Sequence, residues 1–134
     1  MKTLSTILVL LSAGLFSFCH AWSQQPPDLM ITQAKVGPAS VMAGKKVLIS
    51  CHVFHVRGPM YIARVGAALF HEDLVTVYPV LYDDGTHGDM TSGDGVYSVE
   101  IQAGETPCDQ RIIFSASDKS RNEIESEPII LKVR

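Results

Sequence analysis

Four aspartates, Asp83, Asp84, Asp89 and Asp94, share the stretch 83–95 with four glycines. Hard cations prefer oxygen ligands, so the sharpest chemistry this stretch offers is a calcium site built from those four carboxylates and loop carbonyls. The spacing departs from the helix-loop-helix calcium pattern, and no glutamate closes it at the required position. Aspartate also bonds back to its own backbone and glycine takes positive φ, so the same composition builds a rigid loop without an ion. Ca2+ is the one cofactor these residues suggest, and pure loop architecture is its rival.

Other reactive residues are sparser. His52 and His55 have a spacing that suggests a transition metal, but residues three apart on a strand face opposite sides and cannot share an ion without a bulge. His71 and His87 lie on or beside turns without an obvious partner. Ser92-Gly93-Asp94 is the nearest approach to a nucleophile turn, and it lacks the strand-turn-helix context that would expose the serine. A hydrolase with an unrecognised site is therefore the outlying alternative, and no catalytic residue is assigned.

The elements that position these residues follow an export segment. One lysine, Lys2, precedes an almost wholly apolar run from Leu4 to Phe18, and Cys19-His20-Ala21 supplies small residues for cleavage before Trp22 or, alternatively, after Ser23. This is the layout of a signal peptide over residues 1–21. Two rivals tether the chain instead: an uncleaved anchor, for which the run is short of the roughly 20 residues of a spanning helix, and a lipidated Cys19, whose neighbour Phe18 fits poorly. Removal of 1–21 leaves residues 22–134, enough for one domain and too few for two. The 11 basic and 14 acidic residues of the whole chain form no basic cluster, so nucleic acid is not an expected partner. Cys51 and Cys108 remain after cleavage, and in an oxidising compartment they are expected to pair, with ~4 kcal/mol of chain-entropy stabilisation if they are close enough. Two buried thiols are the alternative.

Residues 22–27 are polar and proline-bearing and read as an exposed leader. Seven stretches rich in β-branched and aromatic residues follow: 29–36, 46–56, 61–70, 74–82, 96–101, 111–116 and 129–133. Gly, Pro, Asp and Asn punctuate them, and no segment sustains the spacing of a long helix. The pattern predicts an all-β chain, a single immunoglobulin-like β-sandwich of about seven antiparallel strands over residues 28–134.

Tyr82-Asp83-Asp84-Gly85, Gly88-Asp89 and Gly93-Asp94-Gly95-Val96-Tyr97 together resemble a pattern of bacterial extracellular immunoglobulin-like and fibronectin-type-III-like domains. Pro27-Asp28-Leu29, with Val41-x-Ala43-Gly44 ahead of an apolar strand, is similar to the start of cell-adhesion-related bacterial domains. Phe114 to Asn122 resembles the Ala-x-Asp-x-x-Gly-Asn ending of such repeats, with Arg121 where glycine is usual. The resemblance implies a sandwich and leaves function open, since such modules serve as spacers, adhesins and binding domains. Trp22 is the only tryptophan and lies in the leader, so the buried tryptophan of antibody domains is missing. Cys108 precedes its strand, which places any bridge to Cys51 near one end of the sandwich.

The expected role is a secreted, periplasmic or cell-surface module, not an enzyme, for binding, adhesion or assembly, with no membrane span after cleavage. Its expected partner is a protein or a cell surface, or a further copy met through edge strands. The first and last strands are the edges expected to accept it. A calcium- or small-ligand-binding protein using loop 83–95 is the competing reading.

Overall fold

The computed structural model describes residues 25–134; the expected signal peptide, 1–21, and the first residues of the expected leader lie outside them. Residues 25–27 are exposed and carry no secondary structure. Nine strands follow among the described residues: β1 (Leu29–Gly37), β2 (Ser40–Val41), β3 (Lys46–His55), β4 (Ile62–His71), β5 (Leu74–Tyr78), β6 (Val96–Gln102), β7 (Asp109–Asp118), β8 (Glu123–Glu125) and β9 (Ile129–Val133). A single turn of 3-10 helix, Pro59–Tyr61, leads into β4.

The pleat explains which residues meet. In β3, Val47, Ile49, Cys51, Val53 and His55 are buried and alternate with more exposed neighbours, as period-two geometry requires of a half-buried strand. Gln110, Ile112, Phe114, Ala116 and Asp118 do the same in β7. These two faces look at each other across the core. One sheet has the order β1-β3-β6; the other has the order β2-β9-β7-β4-β5, with β8 also on β7. Phe114, Ile49 and Leu131 are fully enclosed between them.

All seven anticipated stretches form strands, and the structure adds two. After β1 the chain changes sheets, and β2 runs parallel to β9, with Ser40 beside Lys132 and Val41 beside Val133. β8 continues the line of β9 along β7. Between them Ser126 donates its N–H to the Phe114 carbonyl and accepts the Phe114 N–H on its hydroxyl at 3.0 Å. A side chain thereby completes the ladder where the strand is interrupted ahead of Pro128.

Of the two expected edges, the last strand is corrected by this pairing. β9 lies between β7 and β2, and Lys132 and Arg134 donate to Ala39 and Val41, so the last strand is interior. β1 ends its sheet, but it is bulged between Thr32 and Lys35, with Gln33 at φ 49°, a feature that blunts edge pairing. The second sheet ends in the two-residue β2 on one side and in β5 on the other.

The expected disulfide is also absent. Cys51 and Cys108 are free thiols. Cys51 sits on the inner face of β3 beside Tyr97. Cys108 lies at the end of the sandwich where β3 begins: its carbonyl accepts the Val133 N–H, and at the same end the Lys45 carbonyl accepts the Ala103 N–H. The run of β3 from Lys46 to Cys51 covers roughly 16 Å at about 3.3 Å per residue, whereas bridged cysteines have Cα atoms only about 6 Å apart. Burial pushes the Cys51 thiol up to about 12, which keeps it protonated and unreactive. In the native protein a thiol reagent is expected to label the half-buried Cys108 and to reach Cys51 only on unfolding. Equal labelling of both in the native protein, or of neither in the unfolded chain, would contradict this arrangement.

Candidate functional site

Loop 83–95 is clamped at its base. Tyr82 and Ser98 exchange two backbone hydrogen bonds of 2.9 Å, and Leu81 donates to the Val65 carbonyl at 2.8 Å. Asp83 then organises the return of the chain. Its Oδ1 accepts the N–H groups of Gly93 at 2.9 Å and Asp94 at 3.2 Å, and its Oδ2 accepts that of Gly95 at 3.0 Å. Asp89, 6% exposed, accepts from Gly85 at 2.8 Å. Asp94 accepts from Val96 at 2.9 Å and Asp84 from Thr86 at 3.0 Å.

Glycine is required where the loop meets the first sheet. Gly88 has φ +89°, and a Cβ there would run into the Leu48 side chain. Gly95 has φ +81° and would meet the His52 ring. Both positions combine a left-handed backbone with close approach, the two conditions that exclude larger residues.

Asp83, Asp89 and Asp94 each bring an oxygen to within 4.8 Å of the others. Ligands on opposite sides of a calcium ion, at about 2.4 Å each, are separated by about that distance. Asp84 stands outside this trio and bonds to Thr86, whose hydroxyl chiefly holds its carboxyl below the usual range. Burial raises the Asp83 carboxyl, the Gly95 and Gly93 amides oppose the rise, and the Asp94 and Asp89 charges add to it.

The histidines divide as strand geometry requires. His52 is on the outer face, within 3.3 Å of Thr32, and His55 is buried. His55 has a partner that the sequence did not reveal. Its Nδ1 accepts the Arg57 N–H at 3.0 Å, so the ring carries its hydrogen on Nε2 and donates to Asp118 Oδ2 at 3.2 Å. Asp118 also accepts from the N–H groups of Ser120 and Asn122 and from the Asn122 side chain. His55 stacks on Tyr61. The pair ties the end of β3 to the end of β7 across the core.

A third feature is the outer face of the second sheet. Arg64, Ser115, Ser117, Glu123 and Glu125 line a shallow groove of about 510 Å³, which meets an apolar strip containing Ala68, Phe70, Val77 and Ile113. Gly66 floors this strip because a Cβ would stand 2.9 Å from the Tyr78 carbonyl.

No protein-family model and no curated protein matches the chain. Among solved structures it is similar to the cycloalternan-degrading enzyme from Trueperella pyogenes in complex with cycloalternan, with a TM-score of 0.55 and 18% identity over 76% of this chain. The fold is an immunoglobulin-like β-sandwich. This chain spans 17% of that enzyme's length, and the likeness concerns the fold alone. A Niemann-Pick type C2 protein from Japanese carpenter ant shows a TM-score of 0.45 and 14% identity over 78% of this chain and 91% of its own.

Proposed function

We propose that the chain is a secreted, non-enzymatic sandwich module that binds a protein partner at the cell surface or in the periplasm by accepting a strand on β5. The supporting observation is the state of that edge. Leu74, Val75 and Val77 are 69%, 54% and 64% exposed, and the strand Leu-Val-Thr-Val-Tyr contains no charge, proline or glycine. Edges of folded domains are ordinarily blunted by such residues. A cyclic hairpin peptide that presents the β5 sequence is the probe: it is expected to shift the amide resonances of Val75 and Val77, and shifts confined to other elements would refute edge recognition.

A second reading, in which loop 83–95 holds calcium, is favoured by the convergence of Asp83, Asp89 and Asp94. Binding to the native state raises the melting temperature in proportion to the logarithm of ligand excess. A calcium-dependent rise reversed by chelator supports this reading, whereas superimposable melts leave the carboxylates as the loop's scaffold.

A further inference from the structure

We propose that the strand accepted by β5 is β5 of a second copy, paired antiparallel about a two-fold axis at Thr76. This rests on the edge-recognition reading and names its partner. β4 and β5 are joined by the two-residue turn Glu72-Asp73, with His71 opposite Leu74, Leu69 opposite Thr76 and Ala67 opposite Tyr78. A two-residue turn makes its flanking residues a hydrogen-bonded pair, and bonded pairs alternate along an antiparallel ladder. Leu74, Thr76 and Tyr78 therefore direct their backbone groups at β4, and Val75 and Val77 direct theirs away from it.

Those two residues are equidistant from Thr76. A two-fold axis there sets Val75 against Val77 of the second copy and Val77 against its Val75, forming four backbone hydrogen bonds with Thr76 facing Thr76 between them. The valines of both copies then form one cluster on the outer face, continuous with Phe70 and Ala68, which pair with Val75 and Val77 within each chain. Charge favours the same register. The strand is uncharged, and the two Asp73 residues end at opposite ends, roughly 20 Å apart at the rise of an antiparallel strand, more than twice the Debye length of about 8 Å at physiological salt. Five residues a side is a small contact beside the roughly 20–30 of a standard interface, so the dimer is weak and concentration-dependent.

The test uses protein expressed from its full sequence, so that any export processing takes place, in a Cys108→Ser background. Sedimentation equilibrium is expected to show the mass rising from one chain toward two with concentration. Val75→Lys/Val77→Lys and Val75→Glu/Val77→Glu are each expected to remain monomeric, and their mixture to recover the doubled mass. Thr76→Cys is expected to form a disulfide-linked dimer under oxidation, whereas Val75→Cys, which faces Val77, is not. Wild-type protein that keeps the mass of one chain at every concentration, or a lysine variant that dimerises as well as wild type, would overturn the proposal. If the hairpin peptide still shifts Val75 and Val77 in that case, edge recognition survives and only the second copy is lost; if it does not, both fall.

Discussion

Asp118→Ala is expected to lower the melting temperature more than any other single replacement of a polar side chain in the described residues. Asp118 accepts four hydrogen bonds, from His55, Ser120 and both nitrogens of Asn122, and its removal leaves the buried His55 Nε2–H without a partner. A buried donor stripped of its acceptor costs more than the bond was worth, because the desolvation is not recovered. Asp118→Asn is expected to be milder, since its carbonyl oxygen still accepts two amides. The Asn122 hydrogen bond chiefly holds the Asp118 carboxyl below its ordinary range. A folded-state value below the unfolded one gives stability that is present above about pH 4 and is lost as pH falls through the folded value. Asp83 is shifted the other way, so its contribution is greatest at low pH and opposes that acid limb. Acid titrations followed by circular dichroism are expected to show a flatter acid limb in Asp118→Asn and a steeper one in Asp83→Asn; the reverse pattern would refute the assignment.

Asp83→Ala is expected to destabilise the fold by about 2–3 kcal/mol, the loss of three amide bonds to a charged acceptor discounted for partial solvent exposure. Chemical denaturation checks the magnitude. The backbone N–H groups of Asp94 and Gly95 should also exchange faster in the variant, because the Asp83 carboxylate is their acceptor, whereas the Gly93 N–H keeps the Asp83 carbonyl. Asp84→Ala, which removes a contact local to Thr86, should leave those amides protected. Similar exchange in both variants would mean that Asp83 does not hold the loop.

The fold was legible because burial and hydrophobic alternation coincide: the strands around Ile49 and Phe114 announce themselves by period two. β2 and β8 were not legible, since two or three residues carry no period and form only because β9 and β7 stand beside them. The first strand is an edge as expected, but the assignment of the last strand failed for the same reason, as order along the chain does not give order across a sheet. In the loop, aspartate and glycine spacing conveyed rigidity, but which three carboxylates converge depends on turns set by long-range contacts with Leu48 and His52. His55 and Asp118 are 63 residues apart, and no local pattern joins them. Arg121 occupies the position where the resembled motif has glycine, and its φ of 67° shows the conformational demand that glycine would meet.

The clamp of Tyr82 on Ser98, the grip of Asp83 on residues 93–95 and the buried Asp89 carboxylate hold the loop, and the Met90 side chain projects from this frame. Met90 is 96% exposed. The loop thus separates a frame from a display position, and substitutions of Met90 can alter what the domain presents without altering whether it folds. A chain built this way can acquire a new recognition surface through changes at the tip while the sandwich beneath it stays as it is.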